Sequence, residues 1–244
     1  MRKLSVTEQR PSVHVRPAVG DTRAVVLLCY GGKATSHQPS RPWHLSALRL
    51  RPFARAIHRA GESAGVAVWT LTYRYRGWNG AERSPVPDAR WAIGQIRAAH
   101  PDVPVVLVGH SLGGRTVLHV ADEPEVVGVL ALAPWCEPDE PVAGVRDREV
   151  SILHGTWDRW TDPRNSLAFA RRAEPLARCV RYLSIRGVGH FMLRRLSTWQ
   201  GLTTGFALSM LLEHLPAGTL DQSIAHTQTN VGRPADGDTL RLVV

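Results

Sequence analysis

Lysine is almost missing from this 244-residue chain: Lys3 and Lys33 stand alone, and the other 28 basic residues are arginines. They are scattered along the whole length rather than gathered in a stripe. The net charge of +9 and the pI near 10.4 therefore fit biased codon usage at least as well as a polyanion-binding face. Charge by itself argues only for solubility and unspecific attraction. No helix-turn-helix, zinc-finger or RNA-recognition pattern accompanies it, so no nucleic-acid partner is expected. Cysteine is scarce too. Cys29, Cys136 and Cys179 form an odd, widely spaced set, which speaks against both a disulfide framework and a zinc site. They read as small buried hydrophobes in a reducing compartment. No apolar run approaches the ~20 residues a membrane helix needs, and Met1 to Arg10 contain no apolar core of a secretory signal. The expectation is a soluble, cytoplasmic protein with no membrane partner. Internal repeats and low-complexity tracts are absent as well.

What is present is alternation. Apolar strand-like runs occur at 24–30, 66–73, 103–108, 126–133, 150–154 and 179–185. Amphipathic helical segments at 44–64, 87–100, 114–121, 163–173 and 197–215 follow them, with Gly65 placed to stop the first. Strands separated by helices predict βαβ units with right-handed crossovers. The fold class is α/β: a three-layer α/β/α sandwich around a mostly parallel sheet of about six strands. Residues 20–215 make up the domain, 1–19 an N-terminal extension and 216–244 a polar tail, read as mobile. An extra antiparallel strand near Val13 to Val15 and a docked strand over 239–244 are the weaker alternatives.

The run Val105 to Val108 leads directly into Gly109-His110-Ser111-Leu112-Gly113. The bare G-x-S-x-G pattern arises by chance in roughly one chain in ten of this composition. Its context says more: an apolar strand before it and a helical segment after it make Ser111 a candidate nucleophile on a sharp strand-to-helix turn. A serine hydroxyl needs a base, and the base needs an orienting group. In a parallel sheet these should follow later strands. His190, in Gly187-Val188-Gly189-His190, is the base candidate, and Asp158, in His154-Gly155-Thr156-Trp157-Asp158, the acid candidate. Asp162 and Asp139 are rivals, the first better suited to capping the helix that opens at Pro163. Oxyanion donors are expected from the backbone N–H of Leu112 and from the loop Tyr30-Gly31-Gly32-Lys33, with Gly32 ahead of Gly31.

These residues carry a resemblance. GHSLGG at 109–114, HGTWD at 154–158 and GVGH at 187–190 resemble the nucleophile, acid and histidine loops of the α/β-hydrolase superfamily, in the same order. The likeness spans about 20–215; within the family, the run Arg74 to Arg83 and the helix with Asp88 that follows are similar to capless esterases and dienelactone-hydrolase-like proteins. Tyr30 stands where the family usually has histidine. Serine replaces the cysteine of true dienelactone hydrolases, so that particular activity is not implied. Only 16 residues separate the strands ending at Ala133 and starting at Val150, too few for a helical cap.

The resemblance implies a serine hydrolase of carboxylic esters, with thioesters as a second class, using a Ser111-His190-Asp158 triad and no metal or organic cofactor. Its partner is a small acyl ester or thioester. Tyr30, Gly31, His110, Trp78, Trp135, Trp157 and Trp160 are pocket candidates, and Arg115 could meet an acidic substrate group, though helix packing suits it better. Two alternatives remain at this point: a scaffold that binds a ligand without turnover, and a thioesterase, amidase or acyltransferase built on the same triad.

Overall fold

The computed structural model describes residues 9–220, 233–235 and 238–244. All six expected strands are present: β2 (Ala24–Cys29), β3 (Val66–Thr72), β4 (Val105–His110), β5 (Val126–Leu132), β6 (Glu149–Gly155) and β7 (Cys179–Ile185). They pair in parallel in the order β3-β2-β4-β5-β6-β7. β2, β4 and β6 are buried along their whole length. Covered on both faces, they read as continuous apolar runs rather than alternating ones.

Three further strands extend the sheet to nine. β1 (Ser12–Arg16) pairs antiparallel with β3, Val13 opposite Leu71. β9 (Asp238–Val243) runs parallel to β7, Leu242 opposite Leu183, and β8 (Arg233–Ala235) closes the edge antiparallel to it. The end of the tail read as mobile is thus a docked strand. β7 would otherwise present an open row of backbone donors and acceptors, which β9 satisfies. Residues beyond both ends of 20–215 therefore belong to the same sheet.

The helices are α1 (Leu45–Gly61), α2 (Pro85–Ala99), α3 (Leu112–His119), α4 (Pro163–Ala173) and α5 (Leu196–Ser209). α1 packs against α5, while α2 packs against α3. Right-handed crossovers put these two pairs on opposite faces of the sheet. α1 buries Ala47, Leu50, Phe53, Ala54 and Ile57 and passes through a short 3-10 turn to Gly65, whose φ of 87° ends it. Leu45, at its start, is 78% exposed and opens onto a cleft described below. Between β5 and β6 there is one 3-10 turn, Ala143–Val145, and no inserted helix.

The chain order reverses between β2 and β4, which are neighbours in the sheet. The loop after β2 leads to one face and the turn after β4 to the other. A crevice forms at such a switch point, outside the carboxyl ends of the strands. Residues 30–33 and Ser111 meet there.

Candidate active site

Ser111 sits on that turn with φ 57° and ψ −119°, a left-handed backbone that a residue with a Cβ adopts only under constraint. Its N–H bonds Leu132 O at 3.0 Å, and its own carbonyl accepts from Arg115 and Trp135. The flanking glycines are steric necessities. A Cβ at Gly109 would overlap the Gly113 carbonyl, and one at Gly113 would overlap the carbonyl of Cys29 on the next strand.

From Ser111 a line of hydrogen bonds runs inward. His190 Nε2 lies 2.9 Å from Ser111 Oγ, and its Nδ1 lies 2.8 Å from Asp158 Oδ2. Asp158 Oδ1 accepts from the backbone N–H groups of Trp160 and Thr161, at 2.8 and 3.0 Å. Oδ2 also accepts from the Thr161 hydroxyl at 2.9 Å and lies 3.1 Å from His154 Nε2. Burial alone would raise the Asp158 pKa, but hydrogen bonds from His154, His190 and Thr161 hold it well below the usual carboxylate range. His154 is itself anchored through Nδ1 to Ser166 Oγ at 2.8 Å. Ser166 Oγ and Tyr182 Oη in turn both reach the Pro163 carbonyl, at 3.0 and 2.9 Å.

The rival acids lie elsewhere. Asp162 caps α4, accepting from the Arg164 N–H at 2.9 Å, and Asp139 is exposed.

His110 packs behind His190, the ring centroids 4.9 Å apart, and its Nε2 lies 3.0 Å from the His190 carbonyl. That carbonyl can only accept, so Nε2 carries the proton. Burial, then the charge of His190, pushes the His110 pKa down to about 3, so the ring is neutral. It holds the histidine loop in place.

The N–H groups of the two oxyanion candidates are unclaimed. Neither Leu112 N nor Gly32 N is taken up by another hydrogen bond among the described residues. Gly32 is held against the neighbouring loop: a Cβ there would overlap the Arg76 carbonyl.

A cleft of about 700 Å³ opens over Ser111. Of the expected wall residues, Gly31, His110, Trp135 and Trp160 line it. Three do not. Tyr30 is buried beneath the loop, bonded to Ser40 at 3.0 Å and edge-on to Tyr73. Trp78 is 4% exposed and packs on His119 and Arg115. Trp157 faces outward beside Arg194. In each case the loop after the strand turns the ring away, which sequence position alone does not reveal.

Arg115 is likewise committed. It is layered between Trp78 and Trp135, its Cζ 4.3 and 4.7 Å from their centroids, and its Nε lies 2.7 Å from Glu140. It props Trp135 against the cleft and leaves no charge for a substrate.

Four contributors carry no motif that marks their roles in the sequence. Thr161 and His154 surround Asp158, Phe191 packs beside His190, and Arg49 enters the cleft from α1. Among the described residues no group of three or more His, Cys, Asp or Glu is arranged to hold a metal ion. No helix among them is long and apolar enough to cross a membrane.

Comparison with known proteins agrees with this architecture. Residues 25–238 match the family described as "Alpha/beta hydrolase family". Among solved structures, a serine hydrolase without lid from Xanthomonas campestris superposes with a TM-score of 0.60 at 18% identity, covering 85% of this chain and 90% of that one. A thermophilic esterase from Thermogutta terrifontis with propionate bound gives 0.62 at 18% identity, with 86% and 90% covered. The monoacylglycerol lipase of Paleococcus ferrophilus gives 0.59 at 15%, with 82% and 99% covered. No curated protein matches the sequence.

Proposed function

The chain belongs to the alpha/beta hydrolase family, and on that premise we propose that it is a serine hydrolase of carboxylic esters, a carboxylesterase-like enzyme without a lid. The observation that carries this reading is the unbroken line from Ser111 Oγ through His190 to Asp158, at 2.9 and 2.8 Å. Esterase and lipase folds among the structural neighbours support it.

In this mechanism Ser111 Oγ attacks the ester carbonyl as His190 Nε2 takes its proton. Asp158, held ionised, fixes the imidazole with Nδ1–H toward itself and stabilises the imidazolium that forms. The N–H groups of Leu112 and Gly32 receive the oxyanion, each such donor being worth about 3 kcal/mol of barrier. His190 returns its proton to the departing alkoxide, leaving an acyl-serine. Water then attacks that acyl group with His190 again as base, and the acid leaves.

The cleft is open and partly apolar, with Trp135 and Trp160 on its wall, which suits a small acyl ester. A panel of p-nitrophenyl butyrate, butyryl thioester and butyryl anilide tests the substrate class. The ester should turn over fastest, and Ser111→Ala should abolish its hydrolysis. Faster turnover of the anilide, or activity unchanged in Ser111→Ala, would contradict the proposal.

A further inference from the structure

One partly buried charge in the cleft has no answering group among the described residues. Arg49, on α1, is half-buried in the wall, its Cζ 4.6 Å above the Phe191 ring centroid. Its Nε is shut off from solvent without a hydrogen-bond partner, and among the described residues no carboxylate pairs with it. That sets it apart from Arg74, Arg90, Arg97, Arg115 and Arg178, each of which meets an Asp or Glu. Burial draws the Arg49 pKa below its ordinary value. A partly desolvated guanidinium without a counter-charge is costly to keep.

The surroundings share this sign. Among the described residues no Asp or Glu lines the cleft, and Lys33 stands on the same wall as a second cation. Phe191 covers one flat face of the guanidinium, a favourable cation–π arrangement. With Nε shut off from solvent, the Nη1–Nη2 end of the guanidinium is the part left for a ligand, and its two N–H groups can meet the two oxygens of a carboxylate in one plane.

We propose that the ester taken by this cleft carries a carboxylate besides the reacting carbonyl, and that Arg49 binds it. The inference rests on the reading of Ser111 as nucleophile and deepens it by naming a substrate class. The carboxylate can sit on the acyl side or on the alcohol side of the ester; its recognition chemistry is the same.

Two matched pairs separate these arms: monomethyl glutarate against methyl glutaramate for the acyl side, and 4-acetoxybenzoate against 4-acetoxybenzamide for the alcohol side. In at least one pair kcat/KM should favour the carboxylate by about tenfold or more, the range expected for a hydrogen-bonded charge pair. The ratio should fall to about one in Arg49→Gln and keep an intermediate value in Arg49→Lys, which retains charge but not the planar fork. Each ratio is taken within one preparation, so lost folded protein cancels. Wild-type enzyme in about 1 M salt, where the Debye length shrinks to about 3 Å, gives an independent check and should show a smaller ratio.

A ratio near one in both wild-type pairs overturns the inference, as does a preference that survives Arg49→Gln or that Lys33→Gln removes instead. Fluorophosphonate labelling of wild-type Ser111 distinguishes the two levels. Labelling without carboxylate preference defeats this inference alone, whereas absent labelling defeats the serine-hydrolase reading beneath it.

Discussion

His190 Nδ1 lies 2.8 Å from Asp158 Oδ2, an oxygen that also accepts from the Thr161 hydroxyl and has His154 Nε2 3.1 Å away. Asp158 is therefore held from two sides, by a loop it shares with Thr161 and by a buried histidine on β6. The carboxylate can rotate little, and it fixes which imidazole nitrogen faces Ser111.

Removing that charge should be costly to turnover. Asp158→Asn places an amide against Nδ1 and favours the wrong tautomer, so kcat for p-nitrophenyl butyrate should fall by about 10⁴. Steady-state kinetics on folded protein check this. A loss below about tenfold would mean that another group orients His190.

The buried His110 gives the fold a pH dependence. Its pKa is pushed from the ordinary 6.5 to about 3 by burial and then by His190. The unfolded chain therefore takes up a proton before the folded one as pH drops. The stabilisation tied to neutral His110 is complete above about 6.5, declines as pH falls below that value, and is gone near 3. Urea midpoints of the wild type should fall across this window more steeply than those of His110→Gln, whose amide takes no proton. Asp158, also depressed, contributes acid loss to both proteins and cancels in the difference. Parallel curves would contradict the assignment.

Two glycines make opposite predictions. A Cβ at Gly113 runs into the Cys29 carbonyl, so Gly113→Ala must displace β2 or α3 and should cost several kcal/mol or prevent folding. Gly94, inside α2, has nothing within 4 Å of its would-be Cβ. Gly94→Ala should stabilise by about 0.5–1 kcal/mol. Thermal melts of the two variants test both signs.

Trp160 is 74% exposed yet stacks at 6.4 Å on His190 and edge-on to Phe191. As wall rather than reacting group, it should matter to binding. Trp160→Ala should raise KM several-fold and change kcat less, as expected when ground and transition state lose the same contact. An effect confined to kcat would instead give the ring a role in holding His190.

The sequence made the centre of the sheet legible and its edges much less so. β2 and β4 announce themselves because both faces are buried, so the apolar run is unbroken. β1 is half exposed and five residues long, and β9 follows a stretch rich in polar residues, glycine and proline, so neither outweighs a loop reading. The same contrast holds at the site. Ser111, Asp158 and His190 follow strands in loops whose glycines mark them out. Arg49 lies among Arg51, Arg55 and Arg59 on one helix, and only the packing of α1 singles it out for the cleft. Tyr30, Trp78 and Trp157 fail the other way: correct loops, with rings directed elsewhere.

Everything proposed for this cleft depends on Ser111 being a nucleophile activated by His190. Labelling with a fluorophosphonate probe, followed by peptide mass spectrometry, tests it most directly. One adduct should form, on the peptide carrying Ser111, absent from Ser111→Ala and strongly slowed in His190→Ala. An unlabelled wild type, or an adduct on another residue that persists in Ser111→Ala, would contradict it.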